Sequence, residues 1–267
     1  MSVGDVIPPR IRGHLEPIGS MYTMGLRSLG FLIVDLARGR FLYREFLERA
    51  WFLANATTLP ALLVSAPLGM AIVLQVGGIA SQIGAASYVG AADAIGVLRE
   101  ASPIVTALLL AGVGGSAVCA ELGARTIREE IDAMEVMGLN PLRRIVAPLL
   151  LASLVVALFL NLLVIFVSVL SGYWFDLAIL HGTQGSYVGS FAQFASIPDF
   201  TTSEIKAGVF GVTAGLIAAY KGMNARKGPT AVGEAVNQSV VITGIVLFAE
   251  NLIITEIFFA IVPQSAF

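Results

Sequence analysis

No residue from Ala50 to Ala92 carries a charge, a run of 43 positions. One bilayer crossing needs about 20 predominantly apolar residues, so this run is too long and too apolar for the surface of a water-soluble domain. Lys and Arg are absent from residues 50–98, 145–205 and 228–267 as well. Soluble domains carry roughly a quarter charged residues, whereas this chain is 13% charged and 57% hydrophobic. The expected fold is an all-α integral membrane protein. Its 267 residues hold about five or six crossings of roughly 20 residues each and leave no room for a soluble catalytic domain.

The basic residues set the topology. Seven arginines precede Ala50; Arg125, Arg128, Arg143 and Arg144 form a second group, and Lys221, Arg226 and Lys227 a third. If the 50–92 run crosses once, all three groups fall on one side of the membrane. If it crosses twice, the first group is separated from the other two. Basic loops stay on the cytoplasmic side, so one crossing is selected. This predicts five spans, at 55–80, 96–122, 145–172, 203–223 and 234–260, with the N-terminus inside and the C-terminus outside. Residues 1–50 then form an N-terminal cytoplasmic or interfacial amphipathic region, and 51–267 the transmembrane domain. Within the former, Leu26, Leu29, Ile33 and Leu36 alternate at helical spacing with Arg27, Asp35 and Arg38, a pattern suited to interfacial helices. No signal peptide is expected from the first residues. Residues 176–202, rich in Gly, Ser and Thr with Tyr187, Phe191, Phe194 and Phe200, read as an outer loop resting on the interface.

Some charges must lie within the membrane. Only 14 uncharged residues separate Lys206 from Lys221, and 15 separate Glu234 from Glu250. Fifteen helical residues cover about 22 Å of a roughly 30 Å hydrocarbon core. The last two spans therefore take in Lys206 and Glu250, and the second takes in Arg99 and Glu100. A charge at mid-bilayer costs about 2.5–3.5 kcal/mol, so each needs a partner. The four are expected to cluster in the outer half of the bundle. They either line a cavity for the acidic head of an amphiphilic substrate or form ion pairs that lock helices together.

Small residues mark close helix packing: Gly112 and Gly115 in the second span, and Gly211 and Gly215, a GxxxG pair, in the fourth. Ser116 has no base within sequence reach, because the histidines are His14 and His181. The lone Cys119 excludes an internal disulfide and reads as a packed thiol. No metal-ligand cluster or GxGxxG occurs. The net charge of −2 gives no reason to expect nucleic acid.

One soluble-looking island interrupts the chain, ARTIREEIDAMEVMGLNPLRRIVAP from Ala124 to Pro148. Thr126 with Glu129 fits a capping box, and Gly138 followed by Asn140-Pro141 fits a stop. A helix of about three turns is therefore expected over 126–138. Ile127, Ile131, Met134 and Met137 share one face; Arg128, Glu129, Asp132 and Glu135 occupy the other. Anionic headgroups repel its acidic positions, Glu130 among them, so a protein partner is favoured over a bilayer surface.

The segments LREASPIVTALLLAG and SAVCAELGARTIREEIDAMEVMGLNPLRRIVAP resemble the MlaE/YrbE permeases, in particular the YrbE-type subunits that accompany actinobacterial MCE proteins. The likeness is strongest over residues 98–152 and extends through GPTAVGEAVNQSVVITGIVLFAENLIIT. It implies an ABC-type lipid transporter of two permeases, homodimeric or, by preference, heterodimeric. Two ATPase subunits would sit at a coupling helix over 126–138, with Arg128, Glu129, Glu130, Asp132, Met134, Glu135, Met137 and Gly138 at the contact, and MCE-domain proteins on the outer side. Arg99, Glu100, Lys206 and Glu250 fall where the family places polar residues near its cavity. Val113 and Leu149 stand where many relatives have arginine. No GxxxxGK[ST] occurs, so no cofactor is expected in this chain, and ATP and Mg would be bound by the partner ATPase. A non-catalytic permease subunit is the principal expectation; an ion-coupled carrier using Lys206 and Glu250, and a membrane scaffold, are the alternatives.

Overall fold

The computed structural model describes residues 9–39, 42–225 and 228–261. Arg226, Lys227 and the His14 side chain lie outside the described residues. Every regular element among the described residues is helical. In chain order these are α1 (Pro9–Ala37), α2 (Tyr43–Gln82), α3 (Ala86–Ile127), α4 (Glu130–Val136), α5 (Leu142–Ala178), α6 (Gln184–Phe194), α7 (Ile197–Met223) and α8 (Pro229–Ile261).

Four of them, α2, α3, α5 and α8, are long and apolar enough to cross a membrane. At 1.5 Å per residue, the 27 residues of α7 are also long enough, at about 40 Å. It carries Asp199, Glu204 and Lys206 near its start; the bundle buries Asp199 and Lys206 and half-buries Glu204. α7 is the central helix, packed against α3, α5 and α8, with Phe210, Ala214, Ile217 and Ala218 almost wholly buried. A helix can be this polar within a membrane only if its neighbours satisfy it.

Most of the 43-residue run, residues 50–82, lies in one helix: α2 extends through Gln82, and a break at 83–85 turns the chain into α3, which takes up the rest. Residues 43–50 are the first turns of α2 rather than a separate amphipathic piece. Ion pairs fix which helix ends lie together. Arg49 meets Glu121 at 2.6 Å, joining the start of α2 to the end of α3, and Arg144 approaches Glu45 at 3.8 Å, joining the starts of α5 and α2. Lys221 donates to Gln238 at 3.0 Å, which joins the end of α7 to the start of α8. The charged ends on either side of α4 thus occupy one end of the bundle, as single crossing of the run requires.

α1 turns Met24, Ser28 and Asp35 toward the bundle, where Arg143 grips the Asp35 carboxylate. Leu26, Ile33 and Leu36 remain exposed, which suits a helix with acyl chains on its outer side. Glycine permits the closest helix contacts. A Cβ on Gly211 would stand 2.6 Å from Ala157 Cβ and from Ser153 O of α5, and one on Gly215 would meet Ser153 Oγ at 2.5 Å. Gly115 makes an ordinary contact with Ala218, and Gly112 faces open space. Leu149 is 1% exposed within the apolar core of α3, α5 and α7. Val113 packs at the edge of a second apolar cluster with Leu110 and Phe210.

Candidate functional site

α3 loosens twice into wide π turns, at Gly96–Ala101 and Leu110–Gly114. Such turns break the regular i→i+4 ladder and recur at functional sites. Arg99 and Glu100 both lie in the first. Lys206 of α7, only 2% exposed, donates through Nζ to the main-chain oxygen of Arg99 at 3.0 Å and to Glu100 Oε1 at 3.1 Å. Glu100 also accepts from Asn251 Nδ2 at 3.1 Å and Thr255 Oγ1 at 3.2 Å, both on α8. The Arg99 guanidinium forks onto Asp199, Nε to Oδ1 at 2.7 Å and Nη2 to Oδ2 at 3.2 Å, the strong bidentate form of an ion pair.

Asp199 was read in sequence as part of an outer loop. α7 starts at Ile197, six residues before the expected boundary, because Ser196 caps it and Pro198 occupies its first turn. Asp199 N donates to Ser196 Oγ at 3.3 Å, and Ser196 Oγ donates to Asp199 Oδ2 at 2.7 Å. The motif Ser196-Ile-Pro-Asp199 was the available signal for this start. A further polar layer follows: buried Asn161 of α5 donates to Ser203 Oγ at 3.0 Å and Glu204 Oε1 at 2.9 Å, and Ser102 and Ser203 hydroxyls pair at 3.2 Å.

Of the four charges expected together, three meet and Glu250 does not. Glu250 Oε1 accepts from Thr213 at 2.9 Å, and Oε2 is buried without a hydrogen bond. Thr213 is seven residues beyond Lys206, about 10 Å further along α7. Its place near Glu100 is taken by the uncharged Asn251 and Thr255, which charge counting alone did not single out. The space left among Arg99, Glu100, Asp199 and Lys206 is about 10 Å³, room for about one water molecule. Within one chain the cluster holds no chamber, though the Glu100 side chain is 42% exposed.

At the same end of the bundle α6 is pinned to α3. Tyr187 Oη donates to buried Asp93 Oδ2 at 2.5 Å, and its ring meets Tyr173 edge-on at 5.3 Å between centroids. Burial pushes the Tyr187 hydroxyl far above its ordinary range, so it stays protonated as a donor. The expected interfacial loop is in part this helix, capped by Thr183.

The other end carries α4. The Thr126 capping box does not form. Thr126 is still within α3, and its hydroxyl is engaged with Leu122 O at 2.9 Å and Gly222 O of α7 at 3.2 Å. The chain instead breaks at Glu129, whose φ of 58° is left-handed, and α4 has seven residues, about two turns rather than three. Its stop is as expected. Gly138 has φ 75°, and Leu139 N returns to Met134 O at 2.9 Å, the closure of a Schellman-type end. Asn140 Oδ1 then accepts from Leu142 N at 3.0 Å. Ile131 is buried and Met134 half-buried, while Val136 is 89% and Met137 66% exposed. Met137 thus leaves the apolar face on which the helical projection put it, because α4 ends before it. Asp132 and Glu135 flank this apolar tip, and Arg128 holds the Glu130 carboxyl below its usual range through a 2.6 Å hydrogen bond.

A bundle of membrane-length helices, with a paired polar cluster at one end and a short projecting helix at the other, is the build of a transporter permease. The family model described as Permease MlaE matches residues 46–257, which covers α2 through most of α8. The Haemophilus influenzae protein named "Intermembrane phospholipid transport system permease protein MlaE" is 30% identical over 193 residues, 72% of this chain and 74% of that one. A "Probable ABC transporter permease protein" of Rickettsia bellii is 28% identical over 193 residues, again 72% and 74%. A protein of the same description from Synechocystis is 26% identical over 230 residues, 86% of this chain and 88% of its own. The chain belongs to the MlaE permease family and is an ABC transporter permease.

Proposed function

We propose that this chain is the membrane subunit of an ATP-driven lipid transporter, in which a separate ATPase engages α4 and the route for lipid passes the Arg99–Glu100–Lys206 cluster. The observation that carries the reading is α4 itself: a short helix bracketed by left-handed Glu129 and Gly138, presenting Val136 and Met137 within an acidic rim. An apolar knob ringed by charge fits a protein groove better than an anionic membrane surface. The phospholipid named for the Haemophilus relative supports a phospholipid-like cargo. The α4 end is assigned to the cytoplasm on the positive-inside rule, with the C-terminus on the other side. The Arg99 cluster, with no chamber of its own and Glu100 partly exposed, supports a chamber completed by a second permease copy or paralogue, with MCE-domain proteins above it. ATP and Mg belong to the ATPase on this reading.

The test is copurification in mild detergent followed by ATP-dependent lipid transfer from vesicles. Asp132→Lys with Glu135→Lys reverses two exposed charges and should leave folding unchanged while removing the ATPase from the purified complex. Retention of a stoichiometric, active ATPase by that variant would sink the coupling role. The ion-coupled carrier has one observation in its favour, the unpartnered Oε2 of Glu250. It predicts transfer driven by an ion gradient without ATP.

A further inference from the structure

A second set of charges surrounds a cavity of about 460 Å³ at the α4 end, between the starts of α2 and α5 and the end of α3. Glu45, Glu48, Glu121, Arg49, Arg125 and Arg144 line it, together with Phe52 and Met134. Most of these charges are engaged. Glu121 takes Arg49 at 2.6 Å and Arg125 at 2.9 Å, and Glu48 takes Arg44 at 3.0 Å. Arg144 and Glu45 are different: they stand 3.8 Å apart, beyond hydrogen-bond length. Neither side chain makes another hydrogen bond among the described residues. Arg143 next door is fully occupied, forked onto Asp35.

The two form a loose ion pair without a hydrogen bond, so the guanidinium keeps its planar fork of donors for a phosphate, and the carboxylate can exchange its partner for an ammonium. The pair thus presents one site for each sign, in a cavity lined by three carboxylates and three guanidiniums. Its depth is set by α2, where the last charged position is Arg49 and Trp51 is 73% exposed. An exposed tryptophan beside the last charge of a membrane helix belongs at the headgroup layer. Arg125 and Arg99 are 26 residues apart in α3, about 39 Å along its axis, so this cavity is distinct from the cluster near Lys206.

We propose that this cavity holds the headgroup of a resident zwitterionic phospholipid bearing a primary amine, with its phosphate on Arg144 and its ammonium on Glu45. Equal numbers of opposite charges disfavour a purely anionic occupant. Because Met134 of α4 lines the cavity, the headgroup also contacts α4. The assignment does not depend on what the transporter carries: a chain that failed to recruit an ATPase would leave it standing.

The experiment is a lipid titration of the delipidated full-length chain by native mass spectrometry. Phosphatidylethanolamine and phosphatidylglycerol of identical acyl chains serve as probes, and soluble phosphoethanolamine and inorganic phosphate as competitors. Phosphatidylethanolamine should be preferred, and Arg144→Gln should weaken both lipids by about tenfold, the weight of one charge-assisted hydrogen bond. Glu45→Gln should weaken phosphatidylethanolamine and strengthen phosphatidylglycerol, inverting the preference. A misfolded variant cannot produce that inversion. Phosphoethanolamine should compete and phosphate alone should not. Equal binding of the two lipids by the unaltered chain, an unchanged ratio in Glu45→Gln, or displacement by phosphate alone would each overturn the assignment.

Discussion

The two ends of the bundle handle charge in opposite ways. Around Lys206 each charged group has found a partner: Arg99 on Asp199, Lys206 on Glu100, and Glu100 also on Asn251 and Thr255. At the α4 end, Arg144 and Glu45 remain 3.8 Å apart beside a cavity of about 460 Å³. The cause is solvent. Far from water an unpaired ion is too costly to keep, whereas at the interface water satisfies it and leaves it available. Tight pairing at depth therefore marks what holds the helices together, and loose pairing at the surface marks where something else can bind.

The comparison is broken most directly at Lys206. Glu100→Ala leaves an ammonium that is 2% exposed with only the main-chain oxygen of Arg99, and removing one partner of a buried pair costs about 3–5 kcal/mol. Lys206→Met should cost less, because the Glu100 side chain is 42% exposed and keeps Asn251 and Thr255. The double variant should recover part of the Glu100→Ala loss. Thermal unfolding in detergent reads the order; equal losses in the two single variants would show that burial does not set the asymmetry. A smaller effect is expected from Gly211→Ala, whose methyl must displace Ala157 or the Ser153 carbonyl. Overpacking of this kind costs about 1–3 kcal/mol, and the same assay on Gly112→Ala, at an open position, should register no loss from crowding. The smallest effect belongs to Arg44→Ala, which removes an exposed i,i+4 pair with Glu48 worth about 0.3–0.5 kcal/mol. Raised salt should abolish even that difference.

Long-range physics was legible in the sequence, and local partner choice was not. Uncharged runs of bilayer length and the grouping of arginines led to one α2 crossing and to three charged segments at one end, because the cost of burying charge acts on whole segments. Gly138 was legible because a left-handed stop is a local property of glycine. Thr126 was not: its hydroxyl is satisfied by Leu122 and by Gly222, 96 positions away, and no local motif reports that competitor. Asp199 was missed because a charge near a loop reads as solvated until its Arg99 partner is known. Asn251 and Thr255 were missed because only formal charges were counted.

α3 runs unbroken from beside α6 to the left-handed residue that precedes α4. The 29 positions from Arg99 to Arg128 make a strut of about 43 Å, with one end in the polar cluster and the other at the projecting knob. A regular helix resists compression along its axis. On the proposed function, a tilt imposed on α4 would reach Arg99 along this shaft. The π turn at Leu110–Gly114 lies between the two, beyond the one that holds Arg99 itself, and gives the linkage a joint. On that reading the molecule is geared, with the drive at one end of the bundle and the moved part at the other.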